Sequence, residues 1–210
     1  MGSAPGTFNP KEHWEAVYQR KQLTEVSWYQ AVPQVSLDLL KANDVPKDAA
    51  IIDVGGGDSL LVDHLLESGY TNVSVLDISG GALLRAQERL GDRARAVHWF
   101  EADATHHRSD ALYDVWHDRA VFHFLTEEAD AERYLQRISE QLRPGGLLIL
   151  GTFSTNGPEK CSGIAVKRYS EAEMLERLRQ LCDKVKCFTI DHTTPSGAVQ
   201  NFLFCAFRKK

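Results

Sequence analysis

The sequence predicts an α/β protein, a three-layer sandwich in which helices cover both faces of a seven-stranded, mostly parallel sheet. Short apolar runs rich in branched residues alternate with amphipathic stretches along most of the chain. Strands that alternate with helices form βαβ units, whose strands are parallel. The last two apolar runs are joined by the turn segment 193–197, which is too short for a crossover helix, so we expect an antiparallel hairpin at the end of the chain.

Seven apolar runs are predicted as strands, because each is short, rich in branched or aromatic residues and bounded by turn residues. In chain order they are 50–54, 73–77, 96–101, 113–117, 147–153, 185–191 and 202–207. The first five are each followed by a longer connection, as βαβ units require. The last two form the hairpin.

Four stretches between these strands have helical periodicity, and two more precede the first strand. They are 59–68, 79–90, 127–142 and 170–181, with 10–20 and 33–41 before the sheet. Gly69 and Gly91 follow two of them as stop signals. Ser170 and Glu173 form a capping box at the start of the last helix. The aromatic segment 26–30 lies between the first two helices and is too apolar for an isolated loop.

The composition is that of one globular domain and disfavours nucleic acid or a membrane as a partner. A chain of 210 residues can bury a full core without disulfides or structural metal. The net charge of −5 lacks the basic excess that a phosphate backbone attracts. Apolar runs such as 147–150 and 202–207 fall far short of the ~20 residues that a membrane helix needs.

The four cysteines have neither Cys-x-x-Cys nor zinc-site spacing, so no metal is expected. The N-terminus has no apolar signal segment and no transit-peptide character. These observations favour a reduced, cytoplasmic protein with free thiols. The sequence predicts no particular oligomeric state.

A glycine-rich turn with acidic partners marks the ligand edge of the predicted sheet. Gly55 and Gly57 follow the first strand and open the first helix, where a bare backbone can approach a ligand closely. Asp77 ends the second strand, 20 residues after Gly57, where a carboxylate can accept both hydroxyls of a ribose. Asp103 follows the third strand, within reach of an adenine amino group. A dinucleotide fingerprint would need a third glycine where the chain has Leu60.

These residues resemble the class I S-adenosylmethionine-dependent methyltransferases over about residues 48–208. The run 53–58 resembles the first motif of that family, and Asp77 and Asp103 stand at its ribose and adenine acids. The turn 142–146 resembles the family's entrance to the fifth strand. The resemblance implies a Rossmann-like fold with strand order 3-2-1-4-5-7-6, and S-adenosylmethionine as cofactor. It also implies that residues 1–47 form a helical lid at the substrate entrance of a methyltransferase domain spanning 48–210.

A narrower resemblance points to two groups within that family. The segments 13–18 and 26–29 are similar to the start of small bacterial methyltransferases of the thiopurine and chalcogen type, and to that of eukaryotic protein-lysine methyltransferases. The lysine group carries Asp-Lys-Gly-Thr after the fourth strand. Here the stretch is Asp118-Arg119-Ala120-Val121, in which the Lys, Gly and Thr are all replaced.

The resemblance and the strand ends together assign the site residues. The expected cofactor-binding residues are Trp14, Trp28, Gly55, Gly57, Asp77, Ile78, Asp103, Ala104, Asp118 and Arg119. The expected substrate-binding residues are Tyr29, Lys160, Arg168 and Tyr169. Trp14, Trp28 and Tyr29 are expected to close over the site, and His123 is the candidate general base. Cys161 is a further candidate, as a thiol carrier or a metalloid ligand.

The expected activity is in-line transfer of a methyl group to a nucleophile of a small-molecule acceptor. Because methyl transfer depends mainly on alignment, such a site needs a base only for an acceptor that arrives protonated. Two alternatives stay open. One is a protein-lysine methyltransferase, and the other is a non-catalytic domain that binds S-adenosylmethionine for regulation.

Overall fold

The computed structural model describes residues 8–210, so the part of the predicted lid that falls on residues 1–7 lies outside the described residues. Nine strands are described. They are β1 Ile51–Val54, β2 Val73–Asp77, β3 Val97–Glu101, β4 Tyr113–Arg119, β5 Leu142–Phe153, β6 Lys160–Cys161, β7 Ile164–Ala165, β8 Cys182–Thr193 and β9 Val199–Lys209. Strands β6 and β7 form a small separate hairpin, which the sequence did not predict.

Six α-helices accompany the strands, close to the predicted positions. They are α1 Pro10–Arg20, α2 Gln34–Ala42, α3 Leu61–Glu67, α4 Gly80–Leu90, α5 Glu128–Gln141 and α6 Glu171–Leu178. The capping box at Ser170 and Glu173 is present at the start of α6. None of the helices within residues 8–210 is long and apolar enough to cross a membrane.

The seven longer strands form one sheet in the order β3-β2-β1-β4-β5-β9-β8. All neighbouring pairs from β3 to β5 are parallel, and β9 pairs antiparallel with both β5 and β8. With the β6–β7 hairpin set aside, this confirms the predicted order 3-2-1-4-5-7-6 and the predicted terminal hairpin.

Each face of the sheet supports its own hydrophobic core, because side chains alternate along a strand. Ile51 and Val115 belong to one cluster, whereas their neighbours Ile52 and Trp116 belong to the other. All four are buried. Burial on both faces explains why the central strands appear in the sequence as continuous apolar runs rather than alternating ones.

The segment before the sheet is tied to the domain by polar contacts. Arg85 of α4 donates to the backbone oxygens of Tyr18 and Lys21, at 2.7 and 2.9 Å. Ser36 of α2 is hydrogen-bonded to His117 of β4 at 2.8 Å. These contacts hold α1 and α2 over the carboxyl ends of the central strands.

The cysteines correct one expectation. Cys187 on β8 and Cys205 on β9 are paired in register and joined by a disulfide, whereas Cys161 and Cys182 are free and buried. Linear spacing contains no information about this register, so the prediction of four free thiols was wrong for one pair.

Candidate active site

A cavity of about 520 Å³ opens at the carboxyl ends of the parallel strands. In an open parallel sheet this is the edge where ligands bind. Each of the first five strands contributes a lining residue at its end or just beyond. These residues are Gly55, Asp77, Ala102, Arg119 and Phe153. Helix α1 and the aromatic segment close the cavity from above with Trp14, Tyr18 and Trp28.

The glycine turn brings the bare backbone of Gly55 to the floor of this cavity, whereas Gly57 is buried and does not line it. Gly55 and Gly57 have φ of +68° and +49°, a backbone region that side chains disfavour. A Cβ at Gly55 would overlap the side chain of Val121, and one at Gly57 would overlap the hydroxyl of Tyr18. Both glycines are therefore required by close approach as well as by backbone conformation.

Asp77 is a buried carboxylate at the end of β2, with one oxygen accepting from the Ser79 N–H at 2.8 Å. Burial raises the pKa of Asp77 to about 7, and the nearby carboxylates of Asp53 and Asp58 add to the rise. Burial, with the charge of Asp77, also raises the pKa of the Tyr18 hydroxyl well above its usual value. This end of the cavity is thus acidic and suits ligand groups that donate hydrogen bonds or carry positive charge.

The ends of β2 and β3 form an apolar slot beside this carboxylate. Ile78 and Ala104 line the cavity there together with Asp103. Asp103 holds its own turn, since its Oδ1 accepts from the N–H and the hydroxyl of Thr105, both at 2.7 Å. The slot can take a flat ring between apolar side chains, with a carboxylate at its edge.

Aromatic rings form the roof of the cavity. Trp14 packs edge to face on Trp28 and on Phe124, with ring centroids 5.8 and 5.1 Å apart. Tyr18 packs on Trp28 in the same manner at 6.0 Å. Tyr29 does not line the large cavity and instead borders a smaller recess beside it.

The recess has a volume of about 40 Å³ and shares Gly55, Trp28 and Arg119 with the large cavity. Its inner wall is a buried hydrogen-bonded chain. His117 is bonded through Nδ1 to Asp53 at 2.7 Å and through Nε2 to Ser36 at 2.8 Å. This chain fixes the Asp53 carboxylate beside the glycine turn.

Arg119 ends β4 at the junction of the recess and the cavity. Its Nη1 donates to the Trp28 backbone oxygen at 2.8 Å, and its guanidinium lies 4.9 Å from the centre of the Phe202 ring. Its Nε and Nη2 are buried and have no hydrogen-bond partner among residues 8–210. Burial lowers the pKa of Arg119 to about 10, so the group stays cationic.

The structure corrects the assignments of two residues after β4. Asp118 is fully buried and accepts from the backbone N–H groups of Val121 and Phe122 and from the Tyr134 hydroxyl, so it does not face the cavity. His123 is also fully buried, with Nδ1 accepting from the Phe153 N–H at 3.2 Å. Burial and the charge of Arg119 lower the pKa of His123 to about 3. The geometry gives His123 a structural role rather than that of a general base.

The loop after β5 also differs from expectation. Tyr169 is fully buried and stacks on Phe122, with ring centroids 5.3 Å apart. Arg168 is engaged by Glu159 at 3.1 Å and by backbone oxygens of its own loop. Lys160 is exposed on β6 and does not line the cavity. The cavity wall from this loop comes instead from Cys161 and Ile164.

Several cavity residues were missed by sequence reasoning. They are Tyr18, Phe124, Phe153, Gln200 and Phe202. Residues Gln200 and Phe202 reach the ligand edge because β9 is antiparallel, which brings its first residues beside the end of β5. The predicted hairpin could have indicated this, because an antiparallel last strand places its first residues at the edge where the parallel strands end.

The site fits S-adenosylmethionine, the cofactor implied by the resemblance. Its volume lies in the range of about 300–1,000 Å³ usual for ligand pockets. The bare turn at Gly55 and Gly57 suits a methionine chain. The buried Asp77 suits a ribose, and the apolar slot suits an adenine. Within residues 8–210 no group of three or more acidic, Cys or His side chains could hold a metal ion.

Comparison with known proteins gives the same assignment. A family model described as a methyltransferase domain matches residues 52–148. The eEF1A lysine and N-terminal methyltransferase of Mus musculus is 26% identical over 146 residues, covering 66% of this chain but 21% of that protein. The EEF1A lysine methyltransferase 2 of Danio rerio is 24% identical over 166 residues, covering 70% of each chain. The chain thus spans about a fifth of the first relative's length.

Among solved structures, the fold is shared with the 1,6-didemethyltoxoflavin-N1-methyltransferase of Burkholderia thailandensis, which holds 1,6-didemethyltoxoflavin and S-adenosylhomocysteine. The TM-score is 0.70 at 19% identity, covering 99% of this chain and 93% of the other. Sheet order, glycine turn, strand-end carboxylates and these similarities agree. Residues 52–148 match a methyltransferase domain, and the chain has the fold of the class I S-adenosylmethionine-dependent methyltransferases.

Proposed function

We propose that this methyltransferase transfers the methyl group to a small molecule held inside the cavity. The observation that carries the proposal is the roof of packed rings, Trp14, Trp28 and Phe124, over a cavity of about 520 Å³. Such a site encloses a small acceptor. A protein substrate would have to insert a side chain beneath the roof.

The cofactor would lie along the floor. Gly55 and Gly57 would pass along its methionine chain, and Asp77 would accept the ribose hydroxyls. Ile78 and Ala104 would pack on the adenine, with Asp103 accepting from its amino group. When bound, S-adenosylmethionine supplies an electrophilic methyl carbon on a sulfonium that leaves readily.

The chain's own contribution would be alignment and the exclusion of water. Holding two reactants in line supplies up to about 7–11 kcal/mol of the barrier. The ring faces of Trp14 and Trp28 would also favour a cationic sulfonium, by about 0.5–2 kcal/mol each where the contact is desolvated. We assign the described part of the predicted lid, residues 8–47, to this enclosure.

A protein-lysine methyltransferase is the second candidate, and the named activities of the relatives favour it. Its difficulty is chemical. A lysine arrives as an ammonium and has to lose a proton, and His123 is buried away from the cavity. The candidate base on which the sequence interpretation relied is therefore not available to it.

The test uses methyl-labelled S-adenosylmethionine and the purified protein. An extract is divided by ultrafiltration, and the small-molecule and macromolecular fractions are offered as separate acceptors. We expect label in small organic products, and about tenfold less of it with Asp77→Asn at limiting cofactor. Label in the protein fraction alone would replace the proposal by the lysine alternative.

The cytoplasm remains the compartment we propose, supported by the free thiols of Cys161 and Cys182. The Cys187–Cys205 disulfide favours an oxidising compartment instead. Thiol titration of the protein taken from cells under alkylating conditions distinguishes the two: four reactive thiols after denaturation would mean that a reducing compartment keeps this pair open, and two would mean that the disulfide forms in the cell.

A further inference from the structure

We propose that the Nε–Nη2 edge of Arg119 binds an anionic group on the methyl acceptor, and that the acceptor is a planar aromatic anion. This inference rests on the proposed small-molecule function and names its substrate class. It starts from the unpartnered edge of a buried guanidinium at the cavity wall.

A buried cation without partners needs a ligand group, because each unmet charged donor carries a large desolvation cost. Nη1 of Arg119 is already satisfied by the Trp28 backbone oxygen at 2.8 Å. The opposite edge presents two donors side by side, the arrangement that binds a carboxylate or a similar anion at two points. Residues 8–210 supply no hydrogen-bond acceptor to it. Asp53, the carboxylate whose charge acts on Arg119, is held by His117.

The wall around this edge is flat and aromatic. The Arg119 guanidinium lies over the face of Phe202, and Phe202 packs edge to face on Phe153 with centroids 4.8 Å apart. The same part of the cavity is bordered by Cys161, Ile164 and Gln200. Of these three side chains, only that of Gln200 has both a strong hydrogen-bond donor and a strong acceptor. An aromatic ring packs well on such a surface.

The charges of the residues around Arg119 favour an anionic acceptor over a cationic one. The carboxylates of the described lining lie toward β2 and β3, at Asp77 and Asp103, and at the start of α5, at Glu127 and Asp130. The part formed by β5, the β6–β7 hairpin and β9 contributes no carboxylate to the described lining. The charge preference is therefore local to this wall. An anionic acceptor there would neutralise Arg119, whereas a lysine ammonium would be repelled by it.

The test compares three ligands that share one ring. The protein is saturated with S-adenosylhomocysteine and titrated with benzoate, benzamide or benzylammonium by ligand-observed NMR, which measures millimolar affinities. We expect benzoate to bind about tenfold or more tighter than benzamide, as charge-assisted hydrogen bonds require. Benzylammonium should bind weakest. Equal affinities, or no binding of benzoate, would overturn the inference.

Variants identify the group responsible. Arg119→Gln should remove the preference for benzoate, and Arg119→Lys should keep only part of it, because a lysine lacks the planar fork. Arg143→Gln is the matched control, since Arg143 pairs with Asp114 at the opposite end of β4 and β5. A preference that survives Arg119→Gln would overturn the assignment. The wild-type comparison remains decisive if a variant does not fold.

A further experiment tests whether Arg119 binds the acceptor or the carboxylate of the cofactor itself. Methylthioadenosine lacks the amino-acid portion of S-adenosylhomocysteine. If Arg119 serves the acceptor, Arg119→Gln changes the affinities for both compounds by the same factor. A loss confined to S-adenosylhomocysteine would overturn the inference, because Arg119 would then hold the cofactor. Failure of the wild type to bind either compound would instead refute the proposed function itself.

Discussion

Cofactor affinity should depend on pH through Asp77, and the structure sets the size of the effect. The pKa of this buried carboxyl is about 7 in the free protein. Ribose hydroxyls donate hydrogen bonds, which favour the ionised form, so binding should return the pKa toward its usual value near 4. Below pH 7 the protein must then release a proton on binding, and affinity falls by up to about tenfold per pH unit.

The arithmetic gives a definite expectation for S-adenosylhomocysteine. At pH 8 about one free molecule in eleven carries the proton on Asp77, whereas at pH 6 about ten in eleven do. Affinity should therefore fall about tenfold between pH 8 and pH 6, or about 1.4 kcal/mol. Isothermal titration calorimetry at pH 6, 7 and 8, in buffers of different ionisation enthalpy, measures both the affinity and the proton released.

Asp77→Asn tests the cause. Asn keeps an acceptor for the Ser79 N–H, so the turn is preserved, but it cannot ionise. We expect the variant to bind S-adenosylhomocysteine weakly and with the same affinity from pH 6 to pH 8. That affinity should lie close to the one that the wild type has at pH 6. Asp103→Asn is the matched control, which should weaken binding yet retain the slope because Asp77 is intact. A wild type with no slope, or an Asn variant that keeps it, would refute the reasoning.

The raised pKa of Asp77 also predicts how the stability of the free protein changes with pH. Removing the charge should have opposite effects on folding and on cofactor binding. The folded pKa of Asp77 lies above the unfolded value of about 3.8, so its contribution favours folding below that value. This contribution is lost as the pH rises toward 7. Asp77→Asn should therefore raise the melting temperature of the free protein at pH 8 while it weakens cofactor binding. A fall in both would mean that the variant damages the fold.

Three further substitutions test the geometry of the site. Gly57→Ala should cost about 1–3 kcal/mol of backbone strain and reduce S-adenosylhomocysteine affinity in calorimetry, since its Cβ would meet the Tyr18 hydroxyl; unchanged binding would contradict the close approach. Ala120→Gly should stabilise the protein by about 1 kcal/mol in urea unfolding, because Ala120 has φ of +83°, and a loss of stability would show that its methyl packs usefully. Tyr134→Phe should destabilise by about 1.5–3 kcal/mol at pH 7, because the buried Asp118 loses a donor at 2.6 Å. If the free energy of unfolding measured in urea changes by less than ~0.5 kcal/mol, the hydrogen bond between Tyr134 and Asp118 does not stabilise this part of the structure.

The sheet was predictable from sequence because burial and connection length leave strong local signals. Strands such as Ile51–Val54 are buried on both faces and therefore appear as unbroken apolar runs. The order of the strands came from the family resemblance. The β6–β7 hairpin was missed because two-residue strands have no period to detect. The Cys187–Cys205 pair was missed because the register between strands is a tertiary property.

The glycine turn and the strand-end carboxylates were predictable for the same reason, since strand ends determine their position. Side chains beyond a strand end depend on how the loop turns. His123 was placed on the ligand edge by counting past β4. The buried Asp118 instead captures the N–H groups of Val121 and Phe122, and this turns the chain so that His123 lies behind Phe153. A carboxylate that binds its own loop looks the same in sequence as one that binds a ligand.

The stretch after β4 shows how a departure from a family pattern can change chemistry while it keeps the backbone. Where the lysine group is expected to have Gly, this chain has Ala120, yet φ there is still +83°, a conformation that glycine adopts freely and alanine does not. The turn therefore carries a cost in strain, and its amide donates to the Gly151 oxygen at 2.7 Å. Beside this turn stands Arg119, which lines the cavity, stacks on Phe202 and has two buried donors without a hydrogen-bond partner among residues 8–210. A site with such a cation in its wall is better suited to an anionic acceptor than to a lysine.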